Sequence, residues 1–108
     1  MILVIDASAA LALILEPNKN EEYGKEIEKA DTVIAPELFV SEVANVAWKY
    51  KKLAGFTHEE TLTLAENSIE LADQLIPVNE IWKESLREAI NNDHPVYDFL
   101  YIICARRN

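Results

Sequence analysis

The chain has 108 residues, half of them apolar, which is enough for one compact core and too few for two, so a single domain over residues 1–108 is expected. Nineteen Asp and Glu against ten Lys and Arg leave a net charge of -9, which counts against nonspecific affinity for nucleic acid, because that affinity rests on neutralising phosphates. The single cysteine, Cys104, excludes an internal disulfide and a thiolate metal cluster; the opening MILVI is too short for a signal peptide, and no apolar run nears the roughly 20 residues of a bilayer span, so a cytoplasmic protein without a membrane partner is expected.

In chain order, ILVI at 2–5 is a short apolar run that ends at Asp6 and gives way to the helix-forming SAALALIL, predicting a strand and then a helix. Asn18 to Asn20 predict a turn, and EEYGKEIEKA places Tyr23, Ile27 and Ala30 on one helix face. TVIA at 32–35 is short and β-branched, as a second strand requires. Pro36 suits the first position of a long helix, ELFVSEVANVAWKYKKLA, which meets no breaker before Gly55. Thr57 and Glu60 make a capping box for a helix whose Leu62, Ala65, Ile69 and Ala72 repeat at 3-4-3 spacing. LIPV at 75–78 predicts a third strand despite Pro77, and Asn79 a cap for a helix carrying Trp82, Leu86 and Ala89 on one side. The last helix begins at Tyr97 or Asp98 and contains FLYIICA, in which Cys104 suits a core position. Strands alternating with helices predict an α/β fold, with a parallel sheet covered on both faces. Ligands of such sheets bind beyond the carboxyl ends of the strands, where Asp6 falls.

Three acids are the candidate site. Asp6 and Asp98 each suit the cap of a helix, Asp98 after the turn His94-Pro95. Glu42 lies within FVSEVANVAW, which is apolar over much of its circumference, so its carboxylate is expected to be at least partly buried and to need a cation. All three sit where polar and strongly apolar segments meet, and one shared site for a divalent metal explains them jointly. Oxygen-only ligands suit Mg2+ or Mn2+ rather than zinc. With no His, Cys or Ser arrangement for nucleophilic catalysis, the chemistry that remains is metal-activated water attacking a phosphodiester. The positive charge gathers at Lys49, Lys51 and Lys52, interleaved with Trp48 and Tyr50, and again at Arg106 and Arg107. Both clusters fall near helix C-termini, so each is either a partner of the helix dipole or a patch that contacts substrate.

VIDASAALALIL at 4–15, PELFVSEVANVAWKY at 36–50 and HPVYDFLYIICARR at 94–107 resemble, in order and spacing, the three signature segments of PIN-domain proteins, particularly the VapC-like toxin ribonucleases of type II toxin–antitoxin pairs. The resemblance implies a Rossmann-like three-layer α/β/α fold with a short parallel sheet, Mg2+- or Mn2+-dependent endoribonuclease activity, a cognate antitoxin and a homodimer. It carries the catalytic and metal-ligand roles to Asp6, Glu42 and Asp98, and supporting roles to Ser8 and to Asn45, one turn beyond Glu42; Lys49, Lys51, Lys52 or Arg107 would contact the RNA. One departure is clear. Such toxins usually continue into a further strand that ends in another aspartate, whereas here the sequence stops at Arg106-Arg107-Asn108, and Asp93 precedes Asp98. The expectation is therefore a C-terminally truncated version of the fold. The alternative to a ribonuclease is a catalytically weakened fragment that binds an antitoxin or dimerises. An unrelated receiver or haloacid-dehalogenase-type phosphatase fits less well, because Asp6-Ala7-Ser8 lacks the second aspartate that such phosphatases carry.

Overall fold

A computed structural model describes all 108 residues. In chain order it contains β1 (Ile2–Val4), α1 (Ala7–Leu15), a single 3-10 turn (Pro17–Asn20), α2 (Glu21–Lys29), β2 (Thr32–Pro36), α3 (Leu38–Ala54), α4 (His58–Ile69), β3 (Gln74–Ile76), α5 (Val78–Asn92) and α6 (Tyr97–Arg107). The strands form one parallel sheet in the order β1-β2-β3, with Leu3 opposite Val33 and Ala35 opposite Leu75. Parallel neighbours need crossovers, and here α1 and α2 link β1 to β2 while α3 and α4 link β2 to β3.

The central strand separates two cores. Val33 and Ala35 of β2 pack with Ile5, Leu11, Phe39, Val43 and Leu64 on one face. Ile34, between them in sequence, packs on the other face with Ile76, Ile81, Leu100, Ile103 and Cys104. Side chains alternate along a strand, so a strand buried on both faces has to read as an unbroken apolar run, as VIA does. Three layers follow: α1, α3 and α4 with α2 beside them, then the sheet, then α5 and α6. This is the α/β/α fold that the sequence leads one to expect. No helix is long and apolar enough to cross a membrane.

Local signals locate several ends correctly. The capping box is present, with the Glu60 amide donating to Thr57 Oγ1 at 3.1 Å and the Thr57 amide to Glu60 Oε1 at 2.9 Å. The Thr57 amide first, and then the Thr57 side chain, hold the Glu60 carboxyl below its ordinary value. Gly55 ends α3 in the left-handed region at φ 74°, which a side chain would make strained.

Other expectations need correction. Pro36 is the last residue of β2, in register with Ile76, and α3 starts at Leu38. The bond to the Ile76 carbonyl is made by the Glu37 amide at 2.9 Å, so the missing proline N–H costs nothing there. Asn79 caps nothing: α5 starts at Val78, whose amide donates to the Glu37 carboxylate at 3.0 Å. The third strand accordingly runs over 74–76 rather than 75–78. Leu62 is exposed, and α4 buries Leu64 and Ser68 instead. On α5, Trp82 and Leu86 are 44% and 42% exposed, while Ile81, Ser85 and Ala89 are buried. A serine in the middle of the true stripe disguises it. Its hydroxyl is satisfied at 2.7 Å by the Ile81 carbonyl and at 3.3 Å by that of Phe99, and its small size lets α6 lie close against α5.

The two candidate stripes of α5 make opposite predictions. Ile81→Ala is expected to lower the free energy of unfolding in urea by about 2–5 kcal/mol. Leu86→Ala, five positions on and exposed, is expected to change it by about 0.5 kcal/mol at most. The reverse ranking would refute this placement of α5.

Candidate active site

The parallel sheet brings its carboxyl ends to one side of the molecule, and the candidate acids gather there. Asp6 follows the buried Ile5 directly and caps α1 by accepting the Ala9 amide at 2.8 Å through Oδ1. The capping role is thus real, and it leaves Oδ2 without a protein partner. Glu42 lies in the second turn of α3 and is half-buried, as its apolar surroundings suggested. Asp98 is in the first turn of α6, which is headed by Val96 without a side-chain cap, so this acid is not the cap expected of it. Its side chain is 77% exposed and lies 3.5 Å from His94 Nε2.

These acids line one open cavity of about 360 Å3 together with Ser8 of α1, Val46 of α3 and Tyr101 and Ile102 of α6. Three helices that are remote in sequence therefore supply one concave surface. The acids face a shared space rather than meeting at a point: no group of three or more His, Cys, Asp or Glu side chains is arranged to hold a metal ion as it stands. A larger hollow of about 550 Å3 lies by Asn18, Asn20 and Tyr23, but its polar groups belong mostly to one continuous stretch of chain and its lysine is already paired with Glu16 at 2.8 Å.

The electrostatics of the cavity are one-sided. Ion pairs in this molecule join the N-terminal amine to Asp31, Lys19 to Glu16 and Arg106 to Glu88, while the His94 ring lies beside Asp98 and pairs with it only when protonated. No lysine or arginine neutralises Asp6, Glu42 or Asp98. Neutral donors serve two of them: the Ala9 amide for Asp6, and the Tyr101 hydroxyl for Glu42 Oε1. Burial, the bond to Glu42 and the charges of Glu42 and Asp6 together drive the Tyr101 hydroxyl far above its ordinary value, so it remains a donor throughout the neutral range. Tyr23 is pushed up to about 12 by burial and then by the charges of Asp6 and Glu26.

The remaining candidates divide. Ser8 lines the cavity and is exposed. Asn45 is exposed but outside the lining; Val46, four residues beyond Glu42 rather than three, takes that place. Lys49 lies seven residues along α3 from Glu42, two turns or about 10 Å. Lys51 and Lys52 are in the last turn of α3, where they complement the helix dipole, and Lys52 lies 5.3 Å from the centre of the Trp48 ring. Arg107 is at the opposite end of α6 from Asp98, bonded to the Glu80 carbonyl beside β3. Tyr101 is the residue that sequence reasoning overlooked. Its signal was present: three positions after Asp98, it repeats on the same face of the helix within the otherwise apolar run FLYIICA.

The PIN domain family matches residues 3–108, and the chain belongs to that family. It is also similar to Ribonuclease VapC3 of Pyrobaculum aerophilum, with 28% identity over 109 residues that cover 99% of this chain and 83% of that protein.

Cys104, fully buried one turn beyond Tyr101, has its thiol pushed up to about 11 by burial. Two outcomes follow. A thiol reagent at pH 8 is expected to label it no faster than the chain unfolds, and labelling of the folded protein within the mixing time would refute its burial. Because its folded value lies above the unfolded one of about 9, its contribution to stability is complete below pH 9 and is lost as the pH rises towards 11. Thermal midpoints should therefore fall less steeply over that range in Cys104→Ala than in the parent.

Proposed function

We propose that the chain is a divalent-metal-dependent endoribonuclease acting as the toxin of a toxin–antitoxin pair, with Asp6, Glu42 and Asp98 as its catalytic metal ligands. The observation that carries this reading is the cavity itself, where three carboxylates, from the cap of α1, from α3 and from α6, face one space and no lysine or arginine balances them. Uncompensated acids gathered in a concave site ask for a cation. The donor set is all oxygen, which suits Mg2+ or Mn2+; as the acids do not close round a point, part of the ion's shell would be water, in keeping with the habits of Mg2+. Membership of the PIN family and similarity to a protein named as a ribonuclease support the same substrate class.

When bound, the ion supplies an activated water and neutralises the phosphate oxygens that approach it. The protein's own groups account for the rest. Asp6 is anchored by the Ala9 amide and presents its second oxygen. Asp98 is 77% exposed and lines the cavity, and Ser8 supplies a hydroxyl to the wall. Lys49, about two turns along α3 from Glu42, would meet a phosphate one or two nucleotides from the cut, whereas Arg107 is at the far end of α6. With so few cations near the cavity, RNA binding should depend weakly on salt.

A second reading, a binding module with little turnover, is favoured by one observation. Trp82, Leu86 and Ile90 form an exposed apolar stripe on α5, away from the cavity, of the kind that antitoxin binding or homodimerisation would cover. Both partners are compatible with the ribonuclease reading too, and a cytoplasmic location suits either.

Incubation of the purified chain with single-stranded and structured RNAs in Mn2+ or Mg2+ distinguishes the two. The expected outcome is cleavage that EDTA abolishes and that Asp6→Asn or Asp98→Asn lowers by on the order of 100-fold or more in kcat/KM. Cleavage indifferent to both would overturn the metal assignment, and no cleavage under any condition would favour the module. Lys49→Glu is expected to raise KM with little change in kcat, as loss of a contact made equally in the ground and transition states should.

A further inference from the structure

We infer that Tyr101 is the positioning residue for Glu42, and that it governs how tightly this cavity holds a divalent cation; this rests on the metal reading above. The residues come together from far apart: α6 brings the Tyr101 hydroxyl to Glu42 Oε1 of α3, 59 positions away in the chain. No other side chain or backbone group bonds the Glu42 carboxylate. Without the phenol, this long acid would lie at the wall of an open cavity free to turn about three torsions, and a cation would have to freeze it on arrival.

The type of donor is informative. A lysine or arginine at this place would hold Glu42 equally well but would cancel its charge and repel an incoming cation. A phenol hydroxyl orients the carboxylate and leaves its full negative charge in place. The same device recurs across the cavity, where the Ala9 amide, also a neutral donor, holds Asp6 by one oxygen only. Each acid thus keeps one oxygen engaged and one without a protein partner, an arrangement suited to a ligand oriented before its ion arrives. Tyr101 is itself half-buried, flanked in α6 by the buried Leu100 and the fully buried Ile103–Cys104 pair, which limits the freedom of the donor it presents.

The test is a Mn2+ titration of the purified chain and of Tyr101→Phe, which keeps the ring and removes only the hydroxyl. Free Mn2+ is read by electron paramagnetic resonance. Loss of such an outer support typically weakens metal binding by about 10–100-fold, and a weakening in that range is expected. In RNA cleavage, the Mn2+ concentration giving half-maximal rate should rise by a similar factor, while the rate at saturating Mn2+ stays within a few-fold of the parent. A merely structural role predicts the contrary, a lower rate at every Mn2+ concentration and an unchanged midpoint. As a second arm, Glu42→Asp draws the carboxylate back from the hydroxyl with Tyr101 left in its core position, and supplies the background in which the loss of the hydroxyl is measured again. Adding Tyr101→Phe to Glu42→Asp should then cost less than it costs alone, since the two act through one bond. Equal Mn2+ affinity in the parent and Tyr101→Phe overturns the role of Tyr101 and leaves the metal reading standing. No Mn2+ uptake by the parent overturns the metal reading, and this inference with it.

Discussion

The double-sided burial of β2 is the constraint on which the rest of the molecule depends. A three-stranded parallel sheet this short cannot leave a face in water, because Val33 and Ala35 on one side and Ile34 on the other would lose their burial together. Covering both faces calls for helices on both, and parallel pairing calls for crossovers that bring every strand out at the same end. Once those conditions hold, the residue after β1 and the start of α3 after β2 are neighbours by construction. Asp6 and the first turns of α3 therefore share an end of the sheet whatever else the sequence does. The third acid arrives separately, since α6 has to lie against the second face to bury Leu100, Ile103 and Cys104, and its first turn then reaches the same end.

A site made this way has unusual electrostatics. The molecule carries a net charge of -9, and its cavity at the end of the sheet concentrates carboxylates without a lysine or arginine among them. Structural acids in proteins generally have cations or several donors beside them, because an uncompensated carboxylate near an apolar wall is costly. Here Asp6 and Glu42 each have one neutral donor and no cation beside them. On the proposed metal reading, such an arrangement would give up stability locally for the capacity to attract a cation, and the cation would reconcile an acidic protein with a polyanionic substrate. The positive residues are set apart from the acids, Lys49 about two turns along the same helix.

Local chemistry wrote much of this fold directly into the chain. Thr57 and Glu60 specify their own helix start, Gly55 its own stop, and Asp6 its own capping bond, since each depends on residues within one turn of itself. Signals that depend on partners were less legible. Pro36 reads equally well as a helix opener or a strand end, and only the ladder with Ile76 decides. On α4 and α5 the apolar periodicity announces a helix, but the orientation of that helix is set by what it packs against. Leu62, Trp82 and Leu86 thus remain in water while Ser68 and Ser85 are buried with their hydroxyls bonded to the carbonyl one turn back.

The site divides along the same line. The sequence by itself determined which acids are exceptional, because Asp6, Glu42 and Asp98 each interrupt an apolar segment, and that is a property of neighbours in the chain. It also determined the strand and helix order that carries them. Only the tertiary structure decided that they line one cavity, that Val46 rather than Asn45 borders it, that Arg107 lies at the wrong end of α6, and that Tyr101 bonds Glu42. Each of those facts is a distance between elements far apart in the sequence, and such distances are set by how three layers pack around β2.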